Sequence, residues 1–426
     1  MRLQLTRAGA TGLALVAVVL CWRPAAADDK VDFTTTWFQE QRKGGLGGLT
    51  VIHPQFDFGV DAGDYFSFGA GYTADVVSGA TASIFRVDAI STATKFSDTR
   101  HEGHMTLGLA GSRSALSVTA GAGTERDYNS LTVSASGNIY LPGKNTNVAL
   151  SYTHNSDQVC DRDNSELTPF ERHALTGADP CDKKAGLFGK DRPGETIWRD
   201  LNIDTSQATV TQDLSPTMIG QITAFGQVLH GFQSNPYRRV EVGTGNGDTI
   251  SQEHVPDVRA RVSVTVRFKK FIKALRAAVQ FTARGYSDTW GVDSGTFGMS
   301  YSQYVGRTLL VRLRARLYQQ TEAKFYKDAV AYLSGGAAGE YFTGDRELSR
   351  VRNIYTGAKL SYITAGKNGK PVWGLFDQLR FNLKGDVLIL DQLRADDMNA
   401  NPFNVNDQFI NGKLAIVLQV GLLLRY

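Results

Sequence analysis

The sequence predicts an all-β chain: a transmembrane up-and-down antiparallel β-barrel of about sixteen strands, with about fourteen as the smaller alternative. Three observations predict it. Apolar and polar residues alternate with period two in many segments, and full charges fall on one of the two faces. The last such segment runs to the final residue and stops on an aromatic, Tyr426. Short and long connections alternate along the chain, which is the rhythm of hairpins threaded through a membrane.

The chain begins with a segment that is excluded from the fold. Arg2 and Arg7 form a basic start, Leu13 to Leu20 are apolar, and Ala25-Ala26-Ala27 offer a small-residue cleavage site. Residues 1–27 therefore read as a secretory signal peptide and residues 28–426 as one outer-membrane barrel domain. Its removal takes away Arg2, Arg7 and Arg23, three positive charges, so the formal net charge falls from +4 to +1. A near-neutral chain gives no global electrostatic case for nucleic acid. Cys21 leaves with the signal, and its bulky neighbour Leu20 argues against a lipoprotein site. Cys160 and Cys181 remain, an even pair that in a secreted chain reads as one disulfide. Closing a loop of about twenty residues contributes roughly 3 kcal/mol.

Strands are expected near 32–41, 48–60, 64–77, 98–110, 114–123, 128–140, 145–154, 199–213, 217–230, 256–268, 273–286, 293–304, 307–320, 349–363, 375–390 and 408–426. The last is the clearest. Leu414, Ile416, Leu418, Val420, Leu422 and Leu424 share one face, and Lys413, Gln419, Gly421 and Arg425 the other. Outer-membrane barrels end in this way, the terminal strand signalling to the insertion machinery. Leu309, Val311, Leu313, Ala315 and Leu317 oppose Arg312, Arg314 and Arg316, and the strands near 256–268 and 273–286 repeat the pattern. One face suits lipid and the other a polar lumen, whereas unpaired charges inside a packed sandwich would be very costly. Turns are expected at Asp61-Ala62-Gly63, Gly111-Ser112-Arg113, Pro142-Gly143-Lys144, Ser215-Pro216, Lys269-Lys270 and Gly306. Longer loops lie near 78–97, 155–198, 231–255, 321–348 and 391–407, and both termini are placed in the periplasm. Trp37, Phe66, Phe68, Tyr72, Tyr152, Trp290 and Tyr426 read as lipid-interface aromatics.

A barrel of this size encloses a lumen wide enough for water unless loops fold inward. Arg259, Arg261, Arg267, Arg276, Arg284, Arg312, Arg314 and Arg316 would line one wall. Asp98, Arg100, Glu102 and His104 would share an inward face on another. Two readings stand: a basic stripe that passes or holds anions, or a plugged interior laced with ion pairs.

Several loop words carry a resemblance. They are 96–102 (FSDTRHE), 231–239 (GFQSNPYRR), 252–257 (QEHVPD) and 339–348 (GEYFTGDREL). Together they resemble a family of Gram-negative outer-membrane proteins catalogued as a domain of unknown function. The resemblance covers most of the mature chain and implies a barrel, with no established activity. It also implies genomic proximity to a periplasmic FAD:protein FMN transferase.

Residues 75–81 sharpen that link. Asp75, two uncharged residues, Ser78, Gly79, Ala80 and Thr81 resemble the acceptor motif of FMN-transferase substrates. The resemblance implies FMN joined through its phosphate to the Thr81 hydroxyl, with small residues letting the enzyme approach the backbone. A second copy runs from Asp88 to Thr94, with Thr92 where glycine is expected. Both copies are expected in the first long loop, and two flavins there could exchange electrons with a redox partner.

Other constellations are weaker. His101 and His104 are three apart and would face opposite sides of a strand. His154 and His173 flank Cys160 and could bind a metal, but polar side chains exposed at the surface are the simpler reading. Asp98, Glu102 and His104 could be bent to a hydrolase reading, but no nucleophile is specified, so no catalytic residue is assigned. Three function classes remain: a redox barrel carrying covalent FMN, a pore with a basic lumen, and an outer-membrane scaffold whose loops bind a partner.

Overall fold

The computed structural model describes residues 29–41, 50–79, 96–125, 128–161, 197–235, 239–242, 249–326, 341–365, 372, 376–392 and 413–425. The strands are β1 (Lys30–Gln41), β2 (Thr50–Ala62), β3 (Phe66–Gly79), β4 (Phe96–Ala110), β5 (Ser114–Thr124), β6 (Tyr128–Tyr140), β7 (Thr146–Asp161), β8 (Ile197–Ser215) and β9 (Met218–Gly231). They continue with β10 (Arg239–Val242), β11 (Thr249–Gln252), β12 (Val258–Ile272), β13 (Ala277–Asp288), β14 (Asp293–Val305), β15 (Leu309–Gln320), β16 (Val351–Ala365), β17 (Gln378–Gln392) and β18 (Lys413–Arg425). All but β10 and β11 form one closed barrel in which each strand pairs with its chain neighbour and β18 returns to β1. The sixteen barrel strands are the sixteen expected from the alternation, with ends shifted by up to seven residues, the most at the end of β7.

Closure follows from the register. Every pairing is antiparallel, and β1 meets β18 from Lys30↔Arg425 to Gln41↔Leu414. No edge is left unpaired, as a hydrocarbon surround demands. The barrel strands run from 11 residues in β5 to 19 in β8, against the roughly 9–11 that cross a bilayer. One face of the alternation points outward. Met105, Leu107 and Leu109 on β4, Leu131 and Val133 on β6, and Leu313 and Leu317 on β15 are all among the exposed large apolar side chains. A soluble protein would not display such a belt. With hydrocarbon outside and polar groups inside, the chain is an outer-membrane β-barrel protein.

One end carries the short turns, at 63–65, 111–113, 141–145, 216–217, 273–276 and 306–308. Gly143 (φ 90°) and Gly306 (φ 68°) hold the left-handed conformations that two of these turns require. The turn after β12 differs from expectation. Lys269 and Lys270 remain in the strand, and the chain reverses at Lys273–Leu275, followed by Arg276 with φ 48°. Two lysines form no turn by themselves, and at the rim of a barrel their ammonium groups reach water while the strand continues. Arg276 thus sits in the turn rather than on the inner face of β13.

The other end carries the long connections, and their described parts pack into a cap. Val255, Trp290, Val292, Ala323, Tyr326 and Leu348 form a buried apolar cluster with Tyr286 and Phe325 against it. Glu253 is 2% exposed; it accepts from the Asn235 backbone N–H at 2.6 Å and from the Thr343 hydroxyl at 2.6 Å. His254 and Phe342 exchange backbone hydrogen bonds of 3.1 and 2.8 Å. Gln320, at the top of β15, donates to the carbonyls of Glu347 and Ser349, each at 2.7 Å. Three of the loop words that carry the family resemblance therefore meet in space. Two corrections follow. Trp290 is 6% exposed within this cap and is not a lipid-interface aromatic. The loop expected at 231–255 contains the β10–β11 hairpin.

Candidate functional site: a basic wall inside the barrel

Pairing register places Arg261, Arg267, Arg284, Arg312, Arg314 and Arg316 on the face opposite the outward belt, toward the lumen. The same registers add residues to that wall. Arg312 faces Lys359 on β16, and Lys359 faces Lys384 on β17. Arg380 shares the inward parity of Lys384 and Asp386.

Two acids stand in this wall, and each is saturated. Asp288, whose side chain is fully buried, accepts from Arg259 Nε at 2.9 Å and Nη2 at 2.5 Å. It also accepts from Tyr286 at 2.7 Å and from the Val292 N–H at 2.9 Å. The Arg259 guanidinium lies 4.1 Å from the Trp290 ring centroid. Arg259 therefore braces the cap from below instead of offering its charge to the lumen, a departure from the expected stripe.

Asp386 is 2% exposed and accepts from Arg314 Nε and Nη2, at 2.7 to 3.1 Å, and from Lys384 Nζ at 3.2 Å. Arg314 reaches it from two strands away because Gly357 lies between them. A Cβ on Gly357 would sit 1.8 Å from Asp386 Oδ1. Glycine here is a matter of space.

Five of the remaining cations have neutral partners. Arg261 donates to Gln227 at 3.0 Å, Arg267 to Gln221 at 2.9 Å and Arg312 to the Ser302 hydroxyl at 3.0 Å. Arg284 lies over Tyr286 and Arg316 over Tyr355, at 5.7 and 5.0 Å. Lys359 lies within electrostatic reach of Arg312, Arg380, Arg314 and Lys384. Among the described residues, no carboxylate pairs with Arg261, Arg267, Arg284, Arg312, Arg316, Lys359 or Arg380, and Arg380 Nε has no hydrogen-bond partner. At the short-turn mouth, Lys269, Arg276, Ser302 and Arg312 help to line a cavity of about 780 Å³.

The other walls differ. On β2–β4, His53 bonds Asp75 at 2.6 Å, Gln55 bonds Asp57 at 2.6 Å, and Arg100 pairs with Glu102 at 3.2 Å. His104 approaches Asp57 at 3.6 Å, while His101 faces outward and bonds Tyr72 at 2.6 Å. The two histidines therefore part as the strand period requires. The stretch β4–β9 carries a ladder of hydroxyls, including Ser117···Ser136 at 2.7 Å and Thr209···Thr223 at 3.0 Å.

The segment that resembles a flavin-acceptor motif divides. Asp75, Ser78 and Gly79 belong to β3, which stays paired with β4 as far as Gly79↔Phe96, so this part of the motif is strand rather than loop. Ala80, Thr81, Asp88 and Thr94 lie outside the described residues, as do residues 1–27, where a signal peptide is expected, His173, Cys181 and Tyr426. Cys160 is wholly buried at the long-loop end of β7. His154 bonds Asp204 at 2.8 Å on the outer face, and no group of three metal-ligating side chains occurs among the described residues.

Sequence reasoning found the arginines but missed Lys359 as their neighbour. The signal was there: Asn353, Tyr355, Lys359 and Ser361 alternate with Ile354, Ala358, Leu360 and Tyr362. What the sequence lacked was the register that sets Lys359 against Arg312.

The chain is similar to a bacterial polysaccharide outer membrane secretin at 7% identity and TM-score 0.48, covering 93% of this chain and 98% of that one. It is similar to the ferric enterobactin receptor of Pseudomonas aeruginosa at 9% identity and TM-score 0.43, covering 87% of this chain but 55% of that one. It is also similar to a loop-deletion mutant of OmpT, an outer membrane protein of Vibrio cholerae, at 8% identity and TM-score 0.40, covering 94% and 99%. No curated protein matches the chain. The family described as "Protein of unknown function (DUF3570)" matches residues 85–371, well over half the chain, and the protein belongs to that family.

Proposed function

We propose that the protein is an anion-favouring passage through the outer membrane, with its termini in the periplasm and the capped end outside. The observation that carries this is the wall of β12–β17. Its arginines and lysines outnumber Asp288 and Asp386, and both acids are already bonded. Charges fixed on a lumen wall raise the local concentration of counter-ions and set selectivity. Outer-membrane lipid contacts the apolar belt, and β18 serves the insertion machinery. A Cys160–Cys181 disulfide tying the loop after β7 is part of this reading, supported by the complete burial of Cys160.

The test is the reversal potential of the purified protein in planar bilayers across a KCl gradient. Its sign should be that of anion selectivity. Joint Arg261→Gln, Arg267→Gln and Arg316→Gln substitution should move it toward cations. Folded protein that inserts without conducting would overturn the reading.

A second reading is covalent FMN on Thr81, and on Thr94 in the second copy, for extracytosolic electron transfer; because β3 ends on the outer side, the partner transferase, which is periplasmic, would attach the flavin before the barrel inserts. It is supported by the motif residues Asp75, Ser78 and Gly79 standing at the end of β3, with Thr81 two positions further along the sequence. Co-expression with an FMN transferase should give in-gel fluorescence that survives denaturation and is lost in Thr81→Ala. A dark wild-type band beside a fluorescent positive control would remove it.

A further inference from the structure

We propose that the inner face of β15–β17 is a binding site for a compact, multiply charged oxyanion of the phosphate type, held by Arg312, Lys359, Lys384 and Arg380. This deepens the anion-passage reading, on which it rests only for how the ligand arrives.

The argument begins with register. Arg312, Lys359 and Lys384 stand directly opposite one another on three adjacent strands. Like charges directly opposite in a sheet destabilise it, and strand spacing puts the outer two about 10 Å apart. The face around them holds six cations, Arg312, Arg314, Arg316, Lys359, Arg380 and Lys384, against Asp386 as its one described inward carboxylate. Arg314 and Lys384 share that carboxylate. Most of the charge is left for something that enters the lumen.

Donor chemistry narrows the class. Each arginine offers five N–H donors in a rigid fork and each lysine three, none of them acceptors. Arg380 Nε is buried without a partner, and Arg312 spends its Nε on Ser302. Chloride or a monocarboxylate would leave most of these donors unused and much of the repulsion in place. A tetrahedral dianion presents acceptor oxygens in several directions from one small volume and takes up two charges at once. Because the ligand can be a free ion or a phosphate ester, both belong in the test.

The experiment is calorimetric titration of the folded, detergent-solubilised barrel with inorganic phosphate, sulfate, glycerol phosphate and acetate. Folding of each variant is checked by heat-modifiable gel mobility. Phosphate should bind saturably, sulfate and glycerol phosphate should compete with it, and acetate should not. Lys359→Gln and Arg380→Gln should each weaken phosphate binding by about tenfold or more, while Arg113→Gln, in the turn between β4 and β5, stays within about twofold of wild type. If Lys359→Gln fails to fold, Arg380→Gln carries the comparison.

No saturable binding to folded wild type, or equal loss in all three variants, overturns the site, the latter in favour of a diffuse field. Anion-selective conductance without saturable binding likewise refutes the site and leaves the passage. Saturable binding in a barrel that does not conduct refutes the passage and leaves the site.

Discussion

Asp386→Asn should lower the stability of the barrel by about 3 kcal/mol, because removing one partner of a buried ion pair strands the other charges. Asp386 is the carboxylate that Arg314 and Lys384 share, and its side chain is 1% exposed. The substitution leaves both cations beside Arg312, Lys359 and Arg316 with nothing to offset them. The measurement is the urea midpoint of the folded, heat-modifiable species in lipid vesicles. Gly357→Ala attacks the same pair by a different route, since its Cβ would fall 1.8 Å from Asp386 Oδ1 and 2.7 Å from the Gly385 carbonyl. It should also reduce stability, and combined with Asp386→Asn it should cost less than the two losses added. Full additivity would show that Gly357 acts elsewhere. Replacing the whole group, Arg314→Met and Lys384→Met with Asp386→Leu, should recover much of the loss, since buried ionic groups are often matched by apolar residues of similar volume.

Trp290→Ala should loosen the cap while leaving the barrel closed. The indole donates to the Val258 carbonyl at 3.0 Å, packs edge-on against Phe325 at 5.2 Å and shelters the Arg259 guanidinium. Truncating a buried tryptophan costs about 3–5 kcal/mol. That loss should fall on the cap, because barrel strands are held by ladders on both sides. Limited proteolysis should open new cleavage sites within 321–326 and 341–350, with heat-modifiable mobility unchanged. Trp290→Phe, which keeps the packing but loses the N–H, should give an intermediate result. An unaltered cleavage map would mean that the cap does not depend on this residue.

Much of this molecule was legible from the order of its residues. A strand has period two, so a charge at every second position and a leucine or valine between them already state that one face meets water and the other does not. Leu309 to Leu317 against Arg312, Arg314 and Arg316 state the fold class and the inward face, and the same alternation in the other segments states the strand count. The places where local reading failed have a common cause. Trp290 and Arg259 looked like a lipid anchor and a lumen charge because their own strands allow it. Only the folding of 253–257, 321–326 and 341–349 onto β12–β15 buries them. Lys269-Lys270 looked like a turn because polarity near a hairpin is ambiguous, and the pairing of Ile272 with Ala277 moved the reversal onward.

The division is therefore physical. Sequence alone determined what is periodic along the chain: the alternating strands, the rhythm of turns and loops, and the sign of charge on each strand. Tertiary structure decided what depends on register between strands distant in sequence. It joined Arg314 to Asp386 across Gly357, set Arg312 against Lys359 and Lys384, and left Asp75 bonded to His53. A ladder shifted by two residues would keep every side chain on its face and dissolve each of these groupings. The chemistry of the lumen wall is thus a property of the closed sheet, written in pairs of strands rather than in any one of them.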